Sequence, residues 1–126
     1  MDVLVLSLVS GLAIDTLLMV NNYRDREQDA VSGKCTLVVR YGRKFGENMY
    51  LGLGIAATLL CLWFVNTGRL TLIEFIWAPC VYLCMHALTW RKMVKIRSGK
   101  GLNRILGETS RNMLFLGILL AVALAA

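Results

Sequence analysis

The chain has 126 residues, 57% of them hydrophobic, with a mean hydropathy of +0.61, a single proline and a formal net charge of +6. That balance excludes an ordinary soluble domain and describes helices that lie in a bilayer. It also excludes a nucleic-acid module, because the basic residues fall between apolar runs rather than on a polar, aromatic-rich face; a membrane surface accounts for them better.

Residues 2–22 predict a first span, roughly 30 Å long at 1.5 Å per residue and therefore close to the hydrocarbon thickness. Its length, and charges placed at the wrong end, exclude a cleavable signal peptide. A helical step of about 100° per residue puts Ser7, Gly11, Asp15, Asn22, Asp25 and Asp29 in one stripe, so a small and polar face is expected along the helix. An ionisable residue as deep as Asp15 is expected to face the protein interior, a wet cavity, or a Ser or Thr of a neighbouring helix.

Residues 24–46 form a polar connection that holds a short apolar patch from Thr36 to Tyr41, with Gly33, Gly42 and Gly46 as punctuation. A short interfacial helix between two turns is expected there, set over the end of the first span as a lid. Residues 47–65 predict the second span, with Gly52 and Gly54 permitting close helix approach. After a tight turn at Asn66-Thr67-Gly68-Arg69, residues 70–90 predict a third span that carries Glu74 near its start and a mild kink at Pro79. Tyr50 and Trp90 are expected to mark one membrane interface, and Trp63, Phe64, Phe75 and Trp77 the other.

Residues 91–109 form a second connection, strongly basic, and residues 110–126 a short fourth span. Both basic connections fall on one side of a four-span array, which the positive-inside rule makes cytoplasmic and which sends both termini outward. An N-terminus sent outward with no basic residue before it is an oddity that a missing upstream half would explain. Of the four cysteines, Cys61, Cys80 and Cys84 lie in apolar segments and predict neither a disulfide framework nor a zinc site. His86, in the third span, is expected to be packed or interfacial.

The chemistry concentrates at the end of the first span, in Asn21-Asn22-Tyr23-Arg24-Asp25-Arg26-Glu27-Gln28-Asp29 and on through Gly33-Lys34-Cys35-Thr36. A helix turns Asn21, Asn22, Asp25 and Asp29 towards one side, giving two carboxylates and two amides, oxygen ligands suited to a hard cation such as magnesium. Such a cation binds a diphosphate and withdraws charge from its bridging oxygen, and neighbouring Arg24, Arg26 and Lys34 share the remaining charge. At a membrane surface this points to a lipid diphosphate. The DxxxD spacing alone is a weak signal, since many solvated helix ends carry such a pair beside arginines, and by itself it favours that bland reading.

The longer stretch NNYRDREQDAVSGKCTLVVRYG, residues 21–42, resembles the second aspartate-rich motif of the UbiA superfamily of intramembrane prenyltransferases. It is most similar to the 1,4-dihydroxy-2-naphthoate polyprenyltransferases of menaquinone biosynthesis, with the form NNxRDxxxDxxxGKxTLxVRxG. The later spans resemble that family's last three in order and spacing. The resemblance implies an all-α integral membrane protein, the C-terminal half of a nine-helix bundle of two pseudo-repeats around a cavity open to lipid. It implies Mg2+ held by Asp25 and Asp29, with Asn21 and Asn22 as the paired amides. Arg24, Lys34 and Arg40 then contact diphosphate or organise the capping loop.

The implied substrates are a polyprenyl diphosphate and 1,4-dihydroxy-2-naphthoate, which is prenylated with loss of its carboxyl group. The implied place is a bacterial inner (cytoplasmic) membrane. The family's first aspartate-rich motif is absent, so the 126-residue chain is expected to be inactive without the N-terminal half. Two alternatives stand beside this reading. One is a UbiA-type enzyme with another acceptor, such as a hydroxybenzoate, haem or a chlorin. The other is a non-catalytic membrane scaffold whose polar stripe packs against partner helices.

Overall fold

Each apolar run becomes a helix that overshoots it. The computed structural model describes residues 1–125, and four helices in it are long and apolar enough to cross a membrane: Asp2–Arg24, Arg43–Asn66, Leu72–Ile96 and Leu102–Ala125. The elements are α1 (Asp2–Arg24), α2 (Arg26–Ser32), α3 (Leu37–Tyr41), α4 (Arg43–Leu60), α5 (Leu62–Asn66), α6 (Leu72–Phe75), a π-turn (Ile76–Cys80), α7 (Val81–Ile96) and α8 (Leu102–Ala125). The chain is thus all-helical and has the character of an integral membrane protein.

The helices extend beyond the predicted spans 2–22, 47–65, 70–90 and 110–126. The largest correction is at the second connection, where the loop expected over residues 91–109 shrinks to the few residues between Ile96 and Leu102. Arg and Lys are good helix formers with long stems, so basic residues end the apolar run without ending the helix. Leu102 and Ile105 are fully buried, and their packing carries α8 past the hydrophobic window. The short helix expected between Gly33 and Gly42 is α3, and it packs against α4, the end of α1 and α2.

α1 packs on α4, α4 on α7, α7 on α8 and α8 back on α1, a closed up-and-down ring of four. Buried positions recur every three or four residues: Val5, Val9, Ala13, Thr16, Val20 and Tyr23 on α1, and Leu102, Ile105, Thr109, Asn112, Leu116, Leu120 and Ala123 on α8. This is the seam expected of helices crossing at a small angle.

The interior has three layers. At the end bearing the 66–71 turn, Val5, Val9, Ala57, Cys61, Phe64, Leu70, Tyr82, Leu116 and Leu120 form one apolar cluster. At the opposite end, Met19, Val20, Tyr23, Val38, Tyr50, Met93, Leu102 and Ile105 form another. On α1, α7 and α8 the buried residues between the clusters are polar, Thr16, His86, Thr89, Thr109 and Asn112, and on α4 buried Gly54 lies there with Thr58 one turn further on. Thr16, Thr58 and Thr89 donate to carbonyls of their own helices at 2.5, 3.0 and 3.0 Å. Asn112 donates to the Thr89 hydroxyl at 3.0 Å, and Tyr50 shares a 2.8 Å hydrogen bond with Thr109. Polar pairs of this kind join helices in lipid, where apolar side chains gain nothing by leaving one apolar medium for another.

Two expected interface residues belong instead to the core. Tyr50 is 0% exposed and Phe64 1% exposed, because both lie on the buried seam of their helices. Of the two glycines expected to admit a neighbouring helix, only Gly54 does so. A methyl group there would overlap the His86 ring, whereas Gly52 faces open space. His86 is packed, stacked on Tyr50 with ring centroids 4.4 Å apart and paired through Nε2 with the Tyr50 carbonyl at 2.8 Å. Pro79 produces the π-turn: without an N–H, and with its ring crowding the preceding turn, it shifts the helical hydrogen bonding by one residue. Glu74 is a helix cap, reciprocally bonded to Thr71.

The stripe of Ser7, Gly11 and Asp15 lies away from the packed seam of α1, and Asp15 is exposed, with no side-chain hydrogen bond to any described residue. Beside it, α1 and α8 leave an apolar groove of about 770 Å³, lined by Leu6, Ser10, Ile14, Met113, Gly117 and Ala121 among others.

Candidate functional site at the end of the first span

α1 does not run unbroken through the motif. It stops at Arg24, Asp25 takes a turn conformation at φ −92°, ψ 6°, and α2 begins at Arg26. Backbone bonds from Asp25 to the Asn21 carbonyl (3.1 Å) and from Asp29 to the Asp25 carbonyl (2.8 Å) carry the four-residue register across the break. The expected succession Asn21, Asp25, Asp29 therefore survives with one bend in it.

Several motif letters are backbone requirements. Gly33 closes α2 at φ +83°, with Lys34 N–H donating to the Asp29 carbonyl at 2.9 Å; this is the left-handed end that favours glycine. Thr36 caps α3, its hydroxyl accepting from Val39 N–H at 3.2 Å. Gly42, at φ +96°, ψ 174°, joins α3 to α4 in a conformation open almost solely to glycine.

The polar centre is the Arg24 guanidinium. Its Nε donates to Asp25 Oδ1 at 2.7 Å and its Nη2 to Asp25 Oδ2 at 3.0 Å, a two-pronged contact with one carboxylate. Nη2 also donates to Asn21 Oδ1 at 2.8 Å, and Nη1 to Asn103 Oδ1 at 3.1 Å. The hydrogen bonds from Arg24 hold the Asp25 carboxyl below its usual range, against a smaller opposing effect of desolvation; the charges of Arg24 and Lys34 add to the lowering. Asp29 is buried, and its Oδ2 has no hydrogen-bond partner among the described residues.

Two further arginines brace this set. Arg26 lies 4.6 Å over the Tyr23 ring and donates to the Tyr23 carbonyl at 2.7 Å and the Arg97 carbonyl at 2.8 Å. Arg43 donates to Glu47 Oε1 at 2.6 Å, and the buried Tyr23 hydroxyl donates to the same oxygen at 2.8 Å. The end of α1 is therefore fixed from below by Glu47 on α4. It is fixed from the side by the α7–α8 turn.

Of the residues singled out in the sequence, Asn21, Arg24 and Asp25 are directly bonded together, with Asp29 one helical turn further on. Asn22 is half-buried and makes no side-chain hydrogen bond to a described residue. Lys34 is exposed and acts on Asp25 through its charge. Arg40 is not gathered into the cluster; it is exposed, with its guanidinium 5.5 Å from the Tyr41 ring. Asn103 and Glu47 are site residues that the sequence does not announce, since nothing local marks which residue of a distant helix reaches the end of the first span.

The candidate cation ligands are all oxygens, the carboxylates of Asp25 and Asp29 and the Asn21 amide, of which those of Asp25 and Asn21 are engaged by Arg24 and Asp29 Oδ2 is without a partner among the described residues. That set fits a hard divalent ion. Among the described residues no three His, Cys, Asp or Glu side chains converge, so two carboxylates and amide oxygens are what this chain offers. No family model, characterised protein or solved structure matches the chain.

Proposed function

We propose that this chain is the C-terminal half of a magnesium-dependent UbiA-type prenyltransferase, moving a polyprenyl group from its diphosphate to 1,4-dihydroxy-2-naphthoate with decarboxylation. The observation that carries the reading is the buried, unpartnered Oδ2 of Asp29, one turn from an Asp25 carboxylate already held ionised, at the end of a membrane-length helix. A buried carboxylate oxygen without a donor is costly and calls for a cation.

In this reading Asp25 and Asp29, with Asn21 and Asn22, hold Mg2+, which when bound withdraws charge from the bridging oxygen of the diphosphate. Arg24 keeps Asp25 ionised and presents its guanidinium beside it, where it takes up charge developing on the departing diphosphate. Lys34 adds to that field, and Arg40 belongs to the capping segment. The α1–α8 groove, of a size that suits an extended apolar ligand, is offered to the prenyl chain. The exposed Asp15 supports a covered or wet surface on its own side of α1, as a nine-helix bundle would provide. The remaining metal ligands are expected from the N-terminal half, and the basic connections are assigned to the cytoplasmic side of a bacterial inner membrane.

The test is to assay the protein encoded by the complete reading frame in membranes, with magnesium, a polyprenyl diphosphate and each candidate acceptor. The expected product is a prenylated, decarboxylated naphthoquinol, reduced about 100-fold or more by Asp25→Asn or Asp29→Asn, the scale of removing a preorganised electrostatic group. Product from a hydroxybenzoate alone would favour the other acceptor class. Prenyl transfer by the 126-residue chain with no other protein would overturn the half-site reading. A scaffold is favoured by one observation, the packed ring with Asp25 already neutralised by Arg24. It predicts that Asp25→Ala and Asp29→Ala weaken assembly without changing magnesium-dependent diphosphate binding.

A further inference from the structure

α7 carries one lane of exposed side chains that changes character along its length. Val81, Cys84 and Leu88 are exposed, and the same face continues, at alternating spacings of three and four residues, into exposed Arg91 and Lys95. Leu88, at 57% exposure, lies directly beneath the first cations. The cationic end opens as a groove of about 710 Å³ lined by Leu88, Trp90, Arg91, Lys92, Lys95 and Arg97 together with Val94. Trp90 is a fixed wall of it, because its indole N–H is committed to the Glu47 carbonyl at 2.9 Å.

The charge of this groove is almost uncompensated. Lys92 pairs with Glu108 at 2.8 Å, while Arg91, Lys95 and Arg97 enter no ion pair among the described residues. The exposed apolar strip and the cations share one side of one helix, the strip on the part that lies in hydrocarbon and the cations where the span leaves it. A nucleic acid or soluble acidic partner would leave that strip uncovered. What fits both parts is a molecule with an anionic head and an apolar tail, at the depth where a span leaves the hydrocarbon.

We propose that the C-terminal half of α7 binds an anionic phospholipid, its phosphate between Arg91 and Lys95 and an acyl chain along Leu88, Cys84 and Val81. The site is separate from the aspartate cluster and does not depend on the prenyltransferase reading.

The test uses the purified protein and native mass spectrometry after exchange into equal amounts of phosphatidylglycerol and phosphatidylcholine with identical acyl chains. The wild-type protein is expected to retain phosphatidylglycerol in preference by about one order of magnitude, since each cation near the headgroups favours an anionic lipid several-fold. That preference should fall as salt rises and should vanish in Arg91→Ala/Lys95→Ala, whose exposed positions leave the helix packing intact. Lys44→Ala, an exposed cation on α4, should keep it. Equal retention of both lipids by the wild type, a preference insensitive to salt, or an unchanged preference in the double variant would each overturn the proposal. Displacement of the lipid by glycerol phosphate at equal concentration would also overturn it, by showing a site for a free anion.

Discussion

Arg24 Nη1 donates to Asn103 Oδ1 at 3.1 Å, so the last residue of the first span is tied to the start of the last span. The same guanidinium closes on both oxygens of Asp25. One side chain therefore couples the acidic motif to the α7–α8 turn. Arg26 adds a second tie to that turn, through the Arg97 carbonyl. Arg97 sits at φ 66°, the only non-glycine residue with positive φ among those described.

The Arg24–Asn103 tie is accessible to water and should be modest. A double-mutant cycle with Arg24→Ala and Asn103→Ala is expected to give a coupling of about 0.5–1 kcal/mol in unfolding from detergent micelles. A coupling indistinguishable from zero would show that this hydrogen bond does not hold the α7–α8 turn.

Asp25 should titrate below the ordinary aspartate value of about 3.9. Its pKa is depressed in the folded chain, so its contribution to stability is fully present above the unfolded value and is lost as pH falls through the folded one. The window therefore lies in acid below about pH 4. Carboxyl NMR titration should place Asp25 low in the wild type and return it towards the ordinary value in Arg24→Ala; an unchanged Asp25 midpoint in that variant would remove Arg24 as the cause.

Beneath the motif, Glu47 receives two donors on one oxygen and is nearly buried. Tyr23→Phe removes one donor and should cost about 1 kcal/mol. Glu47→Ala leaves the buried Tyr23 hydroxyl without its acceptor and should cost about 3 kcal/mol. Tyr23→Phe in the Glu47→Ala background should then cost almost nothing more. Additive losses, measured by thermal unfolding, would mean that the Tyr23–Glu47 bond is not what holds the two helices.

At the polar waist, Gly54 and His86 share one space. Gly54→Ala drives a methyl group into the imidazole and should destabilise by about 1–3 kcal/mol. In His86→Ala the same Gly54→Ala change should be close to neutral, because the ring it strikes is gone. Equal penalties in both backgrounds would place the strain elsewhere.

Hydropathy alone was enough to find four spans and their hairpin order, because the bilayer demands long apolar helices whatever their neighbours are. The short helix at Leu37–Tyr41 was legible too, since the apolar patch and the flanking glycines are local signals acting over a few residues. Helix ends were less so. The basic residues between 91 and 109 suggest a loop, yet burial of Leu102 and Ile105 in the cluster at that end pulls the α8 helix back to Leu102. Tyr50 looked like an interfacial aromatic because its depth along the span is visible in the sequence. Which side of the helix meets α8 is not.

The sequence by itself determined the acidic register Asn21, Asp25, Asp29, because a four-residue spacing is a property of one chain segment. Only the tertiary structure decided what that segment meets: Arg24 on Asp25, Asn103 arriving from α8, Glu47 beneath Tyr23, and Arg40 turned to Tyr41 instead. Those partners are 24 and 79 residues away for Glu47 and Asn103. Their meeting depends on helix lengths and on how the four helices close into a ring, and no local pattern of residues encodes that closure.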